Sequence, residues 1–494
     1  MAKPGYINFR LVLKVLGTLI IGTGIVMLFP AIVSLFYDAD SFFSLFVSVL
    51  ICVFVGLFLR YGIGQNAQWK NDSMRFHRRE GFLVVVLAWV AVAFFGGLPF
   101  LFDHTIDNLT DAFFESISGV TSTGARIIRD LEAMPTGLML WRCMMNWIGG
   151  LGIIVFIVAI IPMMSTDGVS NVFLAETSGP VKDKIHSRAT QTAKTLVSIY
   201  VLLTIAQVFC LSFGDMNGFE AVCHAFTTVG TGGFSTRNDS LMGFNAYTQY
   251  ITVLFMFLSG INYGLLYFAG IGKFDKVWQN SEFKAYILCV VCAVAFLTYS
   301  LWASNVSQPF ETNFRHALFM SVSIISTTGF TNTDFTLWSS SQIFFLFLLS
   351  FTGASSGSSS GGIKLGRHAI LLKNLAVVVR RSVHPRAVIP LRFNNQEVEQ
   401  SLIANILAFF FLYMFILVVA AFVFSIMGYD FTSSLSLATS TLGNVGVLVH
   451  DSSIQVGMED MNVFCKWIMS LLMIIGRLEL FTVIILFSPA FWKK

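Results

Sequence analysis

The sequence predicts an all-α polytopic membrane protein: two leading helices, then four degenerate helix–pore helix–loop–helix repeats around one pore. Three observations predict it. Of 494 residues, 55% are hydrophobic and only 12% charged, half the roughly 25% usual in soluble domains. Long apolar runs recur along the whole chain, each near the ~20 residues that cross a bilayer as a helix. Four times, a shorter amphipathic segment lies between two such runs and ends in a glycine-bearing loop rich in Ser, Thr or Asn.

The candidate spans are residues 11–36, 42–60, 81–102, 138–163, 195–213, 247–270, 284–303, 341–372, 398–427 and 463–489. The first follows Lys3, Arg10 and Lys14. Its apolar run is too long for a signal-peptide core and no clear small-residue cleavage site follows, so it reads as a retained span. The shorter segments cover 110–121, 217–228, 312–326 and 430–441. None is long enough to cross, so each reads as a re-entrant pore helix, a form tolerated at membrane depth where backbone is packed in protein or lines water. Of 31 Lys and Arg residues, 24 fall on the side of the N-terminus, six on the other, and Arg477 within the last span. That excess marks the cytoplasmic side, which puts both termini inside and has the pore helices enter from outside. The division that follows is 1–80 for the leading pair, then repeats at 81–194, 195–283, 284–397 and 398–494, a period of about a hundred residues.

The loops carry the chemistry. They read Val120-Thr121-Ser122-Thr123-Gly124-Ala125, Thr227-Thr228-Val229-Gly230-Thr231-Gly232-Gly233-Phe234, Ser326-Thr327-Thr328-Gly329-Phe330 and Thr441-Leu442-Gly443-Asn444-Val445-Gly446-Val447. Glycine permits the positive φ that turns carbonyls toward a common axis. Backbone carbonyls are neutral dipoles that replace a cation's water shell without trapping it. The C-terminus of each pore helix, worth about half a negative charge, favours a cation at the same place. Four loops in one chain complete a ring, which makes ion conduction the leading function. The favoured glycines are Gly124, Gly233, Gly329 and Gly446. Gly233 is preferred over Gly230 and Gly232 because Gly-Phe-Ser at 233–235 aligns with Gly-Phe-Thr at 329–331. Gly446 is preferred over Gly443 by its distance from the pore helix.

Two further features lie at membrane depth. The run Thr352-Gly353-Ala354-Ser355-Ser356-Gly357-Ser358-Ser359-Ser360-Gly361-Gly362 interrupts the eighth span. Its four glycines cost about 1 kcal/mol each in a helix, so the span reads as broken, with a loop crossing the pore below the ring. It is no phosphate loop: Gly357 to Lys364 lacks the Gly-Lys-Ser/Thr ending and no strand precedes it. Arg477 sits within the last span, where charge is expensive. It is either a structural ion pair, with Glu479 or another buried acid, or a charge in the pore. Residues two apart share no helix face. Glu115, Glu220 and Asp430 read as pore-helix caps, His224 as packing, and Asn262 as an interhelical hydrogen bond. Cys289 and Cys292 lie in an apolar run and read as packing residues. No His-Glu-x-x-His, Gly-x-Ser-x-Gly or paired intramembrane aspartates point to an enzyme, and nothing points to nucleic acid. A coupled symporter, driven by sodium or protons, is the alternative to a passive pore. It needs an intramembrane carboxylate, for which Glu479 is the candidate.

The loops Thr121-Ser122-Thr123-Gly124-Ala125, Gly232-Gly233-Phe234-Ser235-Thr236 and Thr327-Thr328-Gly329-Phe330-Thr331 resemble the Trk/Ktr/HKT superfamily of potassium transporters, the membrane pore subunit of the Trk branch especially. So do Asn146-Trp147-Ile148-Gly149-Gly150-Leu151-Gly152, Gly361-Gly362-Ile363-Lys364, Gly476-Arg477-Leu478-Glu479-Leu480-Phe481-Thr482 and the loop Ala175-Glu176-Thr177-Ser178-Gly179-Pro180-Val181-Lys182. The resemblance implies a potassium-selective filter lined by Ser122, Thr123, Gly124, Thr231, Gly232, Gly233, Thr327, Thr328, Gly329, Asn444, Val445 and Gly446, with K+ as the transported ion and no organic cofactor. A serine at the position of Gly124 accompanies sodium preference in some plant relatives. It further implies an intramembrane gating loop with Gly353, Gly357, Gly361 and Gly362, and Arg477 as a removable electrostatic barrier. The implied assembly is a homodimer in the bacterial inner membrane on cytoplasmic nucleotide-binding regulatory subunits. The basic inner segments would touch anionic lipid or seat that subunit.

Overall fold

The computed structural model describes residues 7–37, 40–62, 78–159, 189–304, 309–387, 389–394, 396–446 and 458–492. The loop at 175–182 lies outside the described residues. The chain is an all-helical polytopic membrane protein. Seven of its described helices are long and apolar enough to cross a bilayer, and two further pairs pass only as bent spans.

The leading helices, Phe9–Tyr37 and Asp40–Leu57, pack against each other. A Cβ at Gly17 would lie 2.6 Å from the carbonyl oxygen of Gly56, the close approach that small residues permit between membrane helices. The longer helices that follow are Arg78–Phe102, Thr136–Ala159, Ala189–Leu211, the bent pair Ala246–Ser259 and Tyr263–Gly270, Ser281–Ser304, the broken eighth span, Gln400–Ile426 and the last span. Large apolar side chains stay exposed on the outer faces, such as Phe411, Phe415 and Phe422 on Gln400–Ile426 and Leu288, Val291 and Tyr299 on Ser281–Ser304. Those faces meet lipid. Cys289 packs partly against the core, whereas Cys292 is exposed on the same helix, so only the first acts as a packing residue.

Four short helices alternate with these in the chain: Leu109–Val120, Gly218–Val229, Phe310–Ile325 and Phe431–Leu442. Three have twelve residues and Phe310–Ile325 sixteen, spanning ~18 Å and ~24 Å, too little for a ~30 Å hydrocarbon core. Local chemistry starts three of them. Asn108 accepts from Asp111 N, Asn217 and Glu220 form a capping box, and Asp430 accepts from Thr432 N and Ser433 N. Glu220 and Asp430 therefore act as caps. Glu115 does not: it lies inside its helix and is fully buried.

Two large apolar clusters surround these helices, one with Trp141, Phe424 and Met473 and the other with Met256, Tyr286, Phe319 and Leu346. Two small ones lie apart, around Ile370 and Leu402 and around Val12 and Phe491.

Two spans that read as continuous are broken. The sixth is Ala246–Ser259 and Tyr263–Gly270, bent by 105°, and the last is Val463–Arg477 and Leu480–Phe487, bent by 118°. Gly260 caps the first half of the sixth and Asn262 starts the second, accepting from Gly264 N. Asn262 is thus a helix cap at a break as well as a bridging side chain. The eighth span breaks as expected. Ser340–Leu349 ends, Thr352–Gly353 pairs in parallel with Ile363–Lys364, and Leu365–Val383 leaves as a helix. The paired strands staple the base of the loop 354–362.

Candidate functional site

The four glycine loops share one backbone. Each holds a residue at positive φ, then one at negative φ, then a glycine at positive φ: Ser122 and Gly124 (52° and 84°), Thr231 and Gly233 (53° and 66°), Thr327 and Gly329 (56° and 81°), Asn444 and Gly446 (53° and 74°). A non-glycine residue in this region costs of order 1–3 kcal/mol. Eight occur among the described residues, and four of them are the first members of these triples. Gly230 and Gly443 instead cap their pore helices with negative φ.

The amides explain where the carbonyls go. Thr123 N donates to Ser118 O, Gly232 N to Thr227 O, Thr328 N to Ser323 O and Val445 N to Ser440 O, each at 2.9 Å. Alternating φ puts successive amides on one side, here the side of the parent helix, and the carbonyls on the other. Among the described residues none donates a hydrogen bond to the carbonyls of Thr123, Gly232, Thr328 or Val445. The loops are also neighbours in ring order. A Cβ on Gly124 would strike the carbonyl oxygen of Gly232, one on Gly233 that of Thr328, and one on Gly446 that of Thr123. Gly124, Gly233 and Gly329 are partly exposed, while the residues before them are buried. The ring is open at its glycine end and covered at the other.

The cover is the interrupted eighth span together with Arg477. Ser359 O accepts from Thr231 Oγ1 at 2.9 Å and from Arg477 Nη1 at 2.6 Å. Gly361 N donates to Thr327 Oγ1 at 2.7 Å. A Cβ on Gly361 would meet Gly443 O and Asn444 Cβ. Arg477 Nη2 donates to Gly149 O at 3.0 Å and Ser122 Oγ at 3.3 Å. Loop and arginine together touch all four members of the ring. Gly353 lies in the strand pair at the base, whereas Gly357 and Gly362 supply positive φ along the loop. Lys364 Nζ donates to Ser360 O and tightens the returning limb.

Arg477 ends the first half of the last span, at the break within it. The ion pair with Glu479 is not formed. Glu479 binds Arg367 Nη2 at 2.6 Å, and that guanidinium stacks on Phe409. Arg477 is 3% exposed and has no carboxylate partner among the described residues; its Nε makes no hydrogen bond. Its charge is held by carbonyls and by the C-terminal end of its own helix, both favourable to a cation. Among the described residues no counter-ion cancels that charge.

A second buried pair braces the ring from behind. Glu115 Oε1 meets Arg142 Nε at 2.5 Å with both side chains fully buried. Glu115 Oε2 accepts from Ile127 N, Arg142 Nη1 donates to Ser235 O, and the guanidinium lies 3.6 Å from the Phe234 ring centroid. The pair ties the stretches that follow Gly124 and Gly233. Arg142→Ala should cost about 3–5 kcal/mol by leaving a buried carboxylate unpaired, read as a lower Tm in detergent. The double variant Glu115→Gln with Arg142→Met should recover most of it. His224 is packing with a purpose: Nε2 meets Ser235 Oγ at 3.1 Å behind the same loop.

The sequence did not single out Ser359, which carries most of the contacts of the cover; nothing local distinguishes it within Ser358-Ser359-Ser360. Asn444 was expected only for its carbonyl, yet its side chain also donates to Thr123 Oγ1 at 2.9 Å and Met473 O at 3.0 Å.

A ring of strained re-entrant loops inside a helical membrane fold defines a membrane transport protein. A family model described as a cation transport protein family, TrkH, matches residues 51–494. The chain is 35% identical to the Trk system potassium uptake protein TrkH of Salmonella typhimurium and to that of Escherichia coli K12, over 99% of this chain and 100% of each relative. It is 33% identical to the E. coli K12 protein TrkG over 99% of both. The crystal structure of the potassium transporter TrkH from Vibrio parahaemolyticus superposes with a TM-score of 0.88 at 32% identity, covering 98% of this chain and 100% of that one. The chain belongs to the TrkH family of cation transport proteins, and it is an integral membrane transport protein, not an enzyme.

Proposed function

We propose that the chain takes up potassium across the bacterial inner membrane through a channel-like pore, with both termini cytoplasmic. Its carbonyl filter is Ser122-Thr123-Gly124, Thr231-Gly232-Gly233, Thr327-Thr328-Gly329 and Asn444-Val445-Gly446. The observation that carries this reading is the fourfold recurrence of one strained triple with its amides turned back onto the pore helix. A dehydrated K+ is held by such neutral carbonyls. The loop 353–362 and Arg477 close the inner side at rest. The relatives named as potassium uptake proteins support K+ as the ion.

The repeats run 81–194, 195–283, 284–397 and 398–494. A homodimer and a cytoplasmic nucleotide-binding subunit come with the resemblance, and the exposed helix Leu365–Val383, with Arg380 and Arg381 in its last turn, is a basic surface for that subunit or for anionic lipid. The coupled symporter needs a titrating intramembrane carboxylate. Glu479 is engaged by Arg367, which weighs against it.

Growth of a potassium-uptake-deficient bacterium on low potassium tests the function. Expression of the chain with its regulatory subunit should restore growth. Gly329→Ala should abolish the rescue at equal membrane abundance, and full rescue by this variant would contradict the filter.

A further inference from the structure

The pore-crossing loop has two unlike limbs. Residues 359–361 touch the ring and Arg477. Residues 355–357 touch neither; they are gripped by two other elements. Ser355 N donates to Gly260 O at 3.0 Å, and Tyr263 N donates to Gly357 O at 3.2 Å. The peptide groups of Ser356 are held on both sides. Its amide donates to Glu282 Oε1 at 2.6 Å, and its carbonyl accepts from Asn262 Nδ2 at 2.6 Å. The same Glu282 oxygen accepts from Gly366 N at 3.2 Å, so one carboxylate spans the way into the loop and the way out. Glu282 is 5% exposed and Asn262 6%. Glu282 opens the helix Ser281–Ser304 of the third repeat, and Asn262 starts the second half of the broken sixth span in the second repeat.

We propose that Glu282 and Asn262 are positioning residues that form a two-sided clamp on Ser356 and set the resting position of the pore-crossing loop. The clamped limb stays fixed, and the limb 358–361 is the part that swings aside once its bonds break: from Thr231 Oγ1 and Arg477 to Ser359 O, from Ser359 Oγ to Val229 O, and from Gly361 N to Thr327 Oγ1. The break in the sixth span then has a purpose. It turns the Asn262 carboxamide toward the loop, with its oxygen capping Gly264 N at 2.8 Å and its nitrogen holding Ser356. The proposal rests on the reading of the loop as the gate.

The test uses the full chain in liposomes, with rubidium uptake and single-channel recording. Asn262→Asp keeps the cap oxygen and removes the donor to Ser356. Glu282→Ala removes the acceptor, and Glu282→Gln keeps an oxygen in its place. Losing one such hydrogen bond shifts an equilibrium by about two- to tenfold, and Glu282→Ala, which loses the bonds from both Ser356 N and Gly366 N, sets the upper end. Asn262→Asp and Glu282→Ala should raise resting uptake and open probability by that factor, with unitary conductance and the K+/Na+ ratio unchanged, and Glu282→Gln should stay near the parent. A structural role alone would lower Tm without this pattern. Deletion of Ser358–Ser360 is the control. If the deletion raises uptake and the clamp variants do not, the clamp is wrong and the gate stands. If neither raises it, the gate reading fails and the clamp with it. Altered unitary conductance or ion ratio in the clamp variants would also overturn the proposal.

Discussion

Arg477→Ala raises resting cation flux about tenfold or more while leaving the K+/Na+ ratio close to that of the parent. The guanidinium is buried, lacks a carboxylate partner among the described residues, and lies against Ser122, Gly149 and Ser359 at the covered end of the ring. Two unit charges ~7 Å apart in an effective dielectric of ~20 repel by ~2 kcal/mol, a factor of about thirty in occupancy or passage. Removing the arginine removes that repulsion and three hydrogen bonds between the loop, the ring and the neighbouring helix. Arg477→Lys separates the two contributions. It keeps a charge but loses the planar fork that reaches three acceptors at once, so its flux should fall between parent and alanine. Rubidium uptake into liposomes at matched protein content reads the order. Equal flux in all three would mean that the charge does not limit passage.

Gly124→Ser lowers the K+/Na+ permeability ratio by at least about tenfold and reduces potassium flux. Gly124 sits at φ 84°, where an L-residue is strained by about 1–2 kcal/mol. A Cβ there would collide with the carbonyl oxygen of Gly232. Either Gly124 leaves the left-handed region and its carbonyl rotates, or the Gly232 carbonyl retreats; both remove an oxygen from the ring. A tenfold change needs only about 1.4 kcal/mol of lost discrimination. Reversal potentials under bi-ionic conditions measure it, and an unchanged ratio would show that this loop does not discriminate.

The parts of the fold legible in the sequence are those written locally. The segments expected at 110–121, 217–228, 312–326 and 430–441 fold as Leu109–Val120, Gly218–Val229, Phe310–Ile325 and Phe431–Leu442, because short amphipathic helices with Asn, Asp or, in the third, Pro before them and a polar loop after them carry their own boundaries. The choice of Gly233 and Gly446 over their neighbours coincides with the positive φ of each. The break at 260–262 was also written locally, as Gly before Asn, but the apolar residues on both sides hid it. The break after Arg477 was not. It depends on Glu479 at φ 61°, held by Arg367 from more than a hundred residues away. Arg477 and Glu479 looked like partners because they are close in sequence; the turn between them sends one toward the ring and the other toward Arg367. The brace between Glu115 and Arg142 was illegible for a similar reason. A carboxylate near the start of a short helix suggests a cap, and only the packed repeat brings the arginine to it.

The most direct test of the central claim is single-channel recording of the purified chain in planar bilayers, with potassium and sodium gradients set independently and no proton gradient. A carbonyl filter for potassium gives passive current that reverses near the potassium equilibrium potential and persists without sodium. Transport that stops unless a sodium or proton gradient is imposed would contradict it.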